Sequence, residues 1–325
     1  MSQSRGMRSP VMSSWTQRIM ASASRTGRKH PRRSVSKWRV AHAGNGPRWA
    51  SGGQVPSAAR FVEGDIRSPE AAALVRDGGF DLVCHLAAQI DVRKSVSDPV
   101  FDARVNILGS IGLLQACTRH GVRKVVYAST GGALYGEGRQ LPATEDHPVN
   151  PEAPYGASKH TVEHYLYLWK LLHGLDFTVL RYPNVFGPRQ NPHGEAGVNA
   201  IFIGLMLEGK RPRIFGDGNA VRDYLFVSDV VDANVIALEK GSGEMLNLGT
   251  GIGTSVNDIV RELKVILGFA EDAIHEPPRP GEVERIYLDA SRAKSVLGWA
   301  PRVSFAEGLR RTVEWTRHNP LPTKH

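Results

Sequence analysis

The chain has 325 residues, 41% hydrophobic and 22% charged, enough for one large or two modest domains with a sizeable core. No run of 18 apolar residues occurs, which argues against a membrane-spanning helix. The net charge of +9 resembles a nucleic-acid signal, but residues 1–60 hold 12 of the 41 basic side chains and no acid, leaving 29 basic against 32 acidic in residues 61–325. The body is mildly acidic, and nucleic acid is not an expected partner.

Residues 1–57 are rich in Ser, Arg and Gly and keep neither a period of 2 nor one of 3.6. Their Arg- and Ser-rich, acid-free composition is like that of an organellar transit peptide, without the apolar face of an amphipathic helix. Order is expected from Ala58. A short strand spans 59–63, and Pro69 opens a helix over 70–76. Residues 80–85 form a compact apolar strand, followed by the small residues Ala87 and Ala88. A helical pattern covers 99–120, a β-branched strand 122–129, a long helix 155–173 and a strand 177–181. Beyond Gly187, Gly- and Pro-rich connectors separate helices at 198–207, 229–239 and 256–267 and a strand at 213–215. Strands alternating with helices predict an α/β fold, a doubly wound parallel sheet with a smaller C-terminal lobe. Its ligands belong at the carboxyl edge, just after Val62, Cys84, Ala128 and Leu180. Cys84 and Cys117 read as buried reduced thiols in a cytoplasmic protein, with no metal site.

In Tyr155-Gly-Ala-Ser-Lys159, a Tyr and a Lys stand four apart, on one face of the long helix. A free phenol, with a pKa of about 10, is too weakly acidic for base catalysis at neutral pH. A neighbouring ammonium lowers it, so the pair makes a general acid/base. Ser129 and Thr130 end the preceding strand and offer a hydroxyl to a substrate hydroxyl.

The stretch Ala128-Ser-Thr-Gly-Gly-Ala-Leu-Tyr-Gly-Glu137, with Pro154-Tyr-Gly-Ala-Ser-Lys159, resembles the extended short-chain dehydrogenases, specifically bacterial UDP-glucose 4-epimerases of the NAD-dependent epimerase/dehydratase family. Gly64-Asp-Ile66, His85-Leu-Ala-Ala-Gln89, Asn106-Ile-Leu-Gly109, Arg181-Tyr-Pro-Asn-Val-Phe-Gly-Pro-Arg189, Arg222-Asp-Tyr-Leu-Phe-Val-Ser-Asp229 and Pro278-Arg-Pro-Gly-Glu282 extend the likeness over residues 58–318. It implies a Rossmann-like NAD-binding domain over 58–187 and a mainly substrate-binding lobe over 188–318, some of whose segments return to the sheet, followed by a tail at 319–325. It implies Tyr155 as acid/base and Lys159 as its partner and ribose ligand, with Thr130 or Ser129 on the reacting sugar hydroxyl. Asp65 and Ile66 would meet the adenine. Leu86, Ala87, Ala88 and Gln89 would line the phosphate–ribose side, Asn106 would order the active-site strands, and Tyr182 and Pro183 would flank the nicotinamide. Asn184, Asn199, Arg222 and Arg279 would hold the nucleotide sugar. The expected reaction is C4 epimerisation of a UDP-glucose/UDP-galactose type substrate, by a homodimer. Related sugar 4,6-dehydratases carry an Asp-Glu pair where this chain has Gly131-Gly132, so dehydration lacks its proton-transfer groups.

The pattern breaks at its start. Such enzymes begin with a strand and a glycine-rich turn for the cofactor pyrophosphate. Here the nearest glycines, Gly44, Gly46, Gly52 and Gly53, follow no apolar strand. Residues 1–57 are therefore read as disordered or as a mistranslated first βαβ unit, and the sheet as lacking its central first strand. The alternatives are an NAD-deficient remnant of the family, or a related epimerase or reductase acting on another sugar.

Overall fold

The computed structural model describes residues 18–22, 38–42, 59–192, 197–278 and 283–319. In chain order come β1 (Arg18–Ser22), β2 (Trp38–His42), β3 (Ala59–Glu63), α1 (Pro69–Gly78), β4 (Leu82–His85), α2 (Val92–Ser97) and α3 (Pro99–Ala103). A π-helical turn, Arg104–Leu108, leads into α4 (Gly109–Arg119), then β5 (Lys124–Thr130), α5 (Pro154–His173), β6 (Asp176–Tyr182) and β7 (Asn184–Phe186). Several of these begin or end where local chemistry requires. Pro starts α1, α3 and α5, where its missing N–H costs nothing. Asp91 and Asp98 cap α2 and α3 by accepting from the backbone N–H groups of Lys94 and Phe101. Glycines in the left-handed region close α1 and α5.

The rest of the chain builds the lobe and returns two helices and a strand to the main sheet. It comprises α6 (Val198–Leu207), β8 (Arg213–Phe215), β9 (Val221–Arg222), β10 (Tyr224–Phe226), α7 (Val227–Ala237), β11 (Glu244–Asn247), β12 (Thr254–Ser255) and α8 (Val256–Leu267). β13 (Ile274–Glu276), β14 (Arg285–Ile286), α9 (Ser291–Leu297) and α10 (Phe305–His318) follow. None of the described helices is long and apolar enough to cross a membrane.

The main sheet has the order β11-β6-β5-β4-β1-β2-β3. On one face Val125, Tyr127 and Val179 pack with Leu113, Leu114, Val162 and Leu166 of α4 and α5. On the other, Val126, Leu180 and Leu246 pack with Val230, Ala233 and Leu297 of α7 and α9. α6, α8 and α10 enclose a separate core around Phe186, Phe202, Leu263 and Leu309. β11 returns from the lobe to the sheet and pairs with β6.

The expectation of a missing central strand is corrected. β1 and β2 fill the places between β3 and β4. Strand pairing on both sides satisfies the backbone there, so a five-residue segment with little side-chain periodicity takes a sheet position. The expected direction is absent, however. β1 is antiparallel to both β2 and β4, with Ser22 opposite Leu82 and Ile19 opposite His85. β4, β5, β6 and β11 are mutually parallel, as are β2 and β3. The chain therefore leaves β1 at the edge where β4 begins, opposite the carboxyl edge. Most of residues 1–57, and the tail at 320–325, lie outside the described residues.

Candidate active site

β4, β5 and β6 end side by side, and the turns after them carry most of the residues expected to act. Thr130 pairs with Tyr182 at the last rung of β5 and β6. α5 enters from above, and Gly156 brings it close: a Cβ there would stand 2.2 Å from the Ala133 carbonyl oxygen. Any side chain at 156 would push Tyr155 away from the strand end. Tyr155 is half-buried, and its backbone N–H donates to Ser95 Oγ at 3.2 Å. Lys159, one turn on, is 3% exposed. Its ammonium donates to the Ala128 carbonyl at 2.7 Å and sits 4.7 Å from the Tyr127 ring centroid.

The electrostatics correct one expectation. Burial first, then the Asp102 charge, push the Tyr155 phenol above its ordinary value. Lys159 is drawn down to about 7 by burial, against the opposing pull of Asp102 and Glu163. Both influences favour the neutral phenol over its anion. His85 is pressed down to about 3 by burial and then by Lys159. The Ser110 hydroxyl gives its proton to the Asn106 carbonyl at 2.5 Å, so the 2.8 Å contact with His85 is a donation from Nε2. Its Nδ1 is then a buried acceptor without a protein partner.

The turn after β4 is fixed by one side chain. Asn106, in the π-helical turn, accepts from the Gln89 backbone N–H at 2.8 Å and donates to its carbonyl at 2.9 Å. π-turns concentrate at functional sites, and this one presents an amide to the turn as a strand neighbour would. Ala87 and Ala88 are 1% exposed, leaving room for close backbone approach, while Leu86 packs against the opposite core. Asp65 is engaged by Arg67 at 2.5 and 2.9 Å, an ion pair that lowers its carboxyl. Ile66 is buried against Gly109.

Structure separates the two strand-end hydroxyls. Ser129 is buried on the α5 side, next to Glu163. Burial works against the Glu163 charge, but His160, Arg181 and Ser129 together hold its carboxyl below the usual value. Thr130 ends the strand, its hydroxyl accepting from the Ala133 N–H at 3.2 Å. A Cβ at Gly131 would lie 2.4 Å from Leu288 Cδ1, so a larger residue there would have to displace that side chain.

On the sugar side, Tyr182 exchanges hydrogen bonds with Asn234, and Pro183 is buried beside it. Asn184 is exposed, with its Oδ1 3.5 Å from where a Gly132 Cβ would lie. Asn199, on α6, is 1% exposed, and neither its Oδ1 nor its Nδ2 has a partner. Arg222 donates to the carbonyls of Val221, Glu284 and Val283. Arg279 lies outside the described residues. No cluster of metal-ligating side chains occurs among the described residues.

Sequence reasoning missed Asp102, Ser158 and the buried Arg181–Glu163 pair, whose guanidinium donates at 2.7 and 3.0 Å. Asp102 stands one helical turn before Asn106, a spacing visible in the sequence. Its meeting with Ser158 is a tertiary event with no local signature.

The residues on the ribose and nicotinamide side fit a dinucleotide. The pyrophosphate side does not: no described glycine turn follows β1 at the carboxyl edge, because β1 points the other way.

The model of the NAD dependent epimerase/dehydratase family matches residues 22–249. A UDP-glucose 4-epimerase of Mycolicibacterium smegmatis is 46% identical over 259 residues, covering 79% of this chain and 83% of the relative. The crystal structure of a Thermotoga maritima UDP-glucose 4-epimerase with UDP-glucose superposes with a TM-score of 0.80 at 46% identity, over 82% of this chain and 87% of that one. The Thermus thermophilus UDP-glucose 4-epimerase in complex with NAD gives 0.78 at 42% identity, over 82% and 88%.

Proposed function

The chain belongs to the NAD-dependent epimerase/dehydratase family, and from that premise we propose that it inverts C4 of a nucleotide sugar of the UDP-glucose/UDP-galactose type. The observation that carries this reading is the strand end itself. Thr130 and Tyr155 offer two hydroxyls, while Gly131-Gly132 supplies neither acid nor base, and Leu288 fills the space a side chain at 131 would need. Elimination of water has no proton-transfer pair there; oxidation and re-reduction at one carbon needs only one acid/base.

NAD, when bound, supplies the hydride acceptor and returns the hydride. The chain's own residues bind, orient and move the proton. Tyr155 takes the proton of the sugar C4 hydroxyl and gives it back, and Thr130 Oγ1 holds the same hydroxyl. Lys159 places its ammonium under the ribose side; Ala87, Ala88, Gln89 and Asn106 shape that wall. Asp65 and Ile66 face the adenine, and Tyr182 and Pro183 back the nicotinamide. Asn184, Asn199 and Arg222, with Arg279, hold the nucleotide sugar, the arginines suiting a diphosphate. Ser129 acts behind this surface, on Glu163.

The assay is conversion of UDP-galactose to UDP-glucose, with Tyr155→Phe as control. The variant should lose about 10²–10⁴-fold in turnover and keep its nucleotide-sugar affinity. Equal turnover in the two proteins removes Tyr155 from the mechanism. A second reading, an NAD-deficient member of the family, is favoured by the direction of β1.

The division into a cofactor-binding domain over 58–187 and a substrate lobe over 188–318 is supported by the separate core around Phe186 and Leu263. A homodimer in the cytoplasm is the expected state. Supporting it, Val100 and Leu108 are about 60% exposed, and Tyr167, Leu168, Leu171 and Leu172 on α5 are exposed as well. Together they give an apolar stripe across two neighbouring helical segments.

A further inference from the structure

We propose that Asp102 is a positioning residue for this reaction, clamping the helix that carries Tyr155 and Lys159 to the cofactor-side turn at Gln89. The inference rests on the function proposed above but is tested separately from it. Asp102 is 0% exposed and has no ion-pair partner within contact distance among the described residues. It accepts from Ser158 Oγ at 2.6 Å, Asn106 Nδ2 at 3.0 Å and Gln89 Nε2 at 3.1 Å. All three partners are donors, the arrangement an ionised carboxylate requires. Those donors belong to three different segments: the turn after β4, the π-helical turn and α5. Ser158 lies between Tyr155 and Lys159 in sequence, so its hydroxyl fixes the rotation of the reactive helix about its axis. Asn106 holds the Gln89 backbone by two further hydrogen bonds, and the Gln89 side chain in turn bonds the backbone of Asp91, the cap of α2. Ser95 of α2 then accepts from the Tyr155 backbone. The clamp is a closed loop that returns to the residue it serves.

A buried charge is a costly way to join three neutral donors, which suggests that the charge itself is used. It opposes the Tyr155 anion and favours the Lys159 cation. The other ionisable groups around the pair are His85 from β4, Tyr127 from β5, and Glu163 from α5 with Arg181 of β6 neutralising it. Among them Asp102 acts on both members of the pair.

Asp102→Asn keeps the shape. The new amide presents its oxygen to Asn106 and Gln89 and its NH₂ to the Ser158 hydroxyl, which turns from donor to acceptor, so the charge is lost while the three contacts are kept. Both limbs of the kcat–pH profile should then move toward acid by about one unit. Ser158→Ala retains the charge and breaks the link to α5. It should lower kcat about tenfold, leave KM for the nucleotide sugar unchanged and leave both limbs where they are. A readout independent of turnover is ultraviolet difference titration of each protein against its Tyr155→Phe partner, in which Asp102→Asn should ionise Tyr155 at lower pH. Unmoved limbs and an unmoved titration in Asp102→Asn, or unchanged kcat in Ser158→Ala, would overturn the proposal. If no protein turns over UDP-galactose yet the titration moves, the clamp stands and the assigned reaction falls.

Discussion

The carboxyl edge of the main sheet has two unlike halves. From β4 to β11 the strands run in parallel, and the turns after β4 and β5 are held by two buried side chains, Asn106 on Gln89 and Lys159 on Ala128, and by the close backbone approach of Gly156 to Ala133. From β1 to β3 the strand order matches a doubly wound sheet, but β1 points the wrong way, delivering the chain to the opposite edge. Strand order and strand direction are separable properties. Order is satisfied by backbone pairing alone, whereas phosphate binding needs direction, because only a strand ending at the carboxyl edge can feed a helix N-terminus toward the ligand. The residues proposed to act lie in the first half, and among the described residues the second half shows no glycine turn at the carboxyl edge.

The sharpest way to break this contrast is to titrate NAD by calorimetry. Loss of two charge-assisted hydrogen bonds at about 1.5–3 kcal/mol each weakens binding by about 10²–10⁴-fold. Replacing residues 1–57 with the strand–glycine turn–helix unit of a relative should restore it, and micromolar affinity in the unaltered chain would show that direction does not matter. Within the firm half, Arg181→Met leaves Glu163 buried without its cation. Denaturant unfolding should report a loss of about 3–5 kcal/mol. A loss below 1 kcal/mol would mean that the pair is not what stiffens this edge.

The outer surface of the same half carries the apolar stripe on α5. The proposed homodimer should sediment as monomer once Leu171→Asp and Leu172→Asp are combined, with the fold intact; a dimer that persists places the contact elsewhere. The smallest effect on stability is expected in Lys159→Met. The unfolded chain protonates this lysine below its ordinary value of 10.5, the folded chain only below about 7. Stability therefore rises with pH across that window, and the penalty is complete below it. Removing the amine should raise the melting temperature at pH 7 by a few degrees while abolishing turnover. A lower melting temperature would show that the ammonium contributes more to packing than its burial costs.

Much of this edge was legible before the structure. The helical pattern over 155–173 and the apolar strand over 80–85 are local signals, and α5 and β4 stand where they were expected. What stayed hidden was non-local. Val92–Ser97 is too short for a helical period to show, and the π-helical turn is buried inside what reads as one continuous helix over 99–120. Ser129 and Thr130 are equivalent in sequence; only the alternation of β5 against α5 turns one toward Glu163 and leaves the other at the strand end. β1 and β2 were missed because a slot between two strands asks little of the residues that fill it.

The π-helical turn also makes the segment sensitive to length. Its Gly109 N–H reaches back five residues to the Arg104 carbonyl, so the helix holds one residue more than a regular ladder needs. Substitutions on its outer surface can be absorbed one by one. Deleting a single residue from 103 to 105 would restore ordinary winding and turn Asn106 about 100° around the axis relative to the preceding helix, releasing Gln89. Along this stretch evolution can exchange letters freely but cannot change the count.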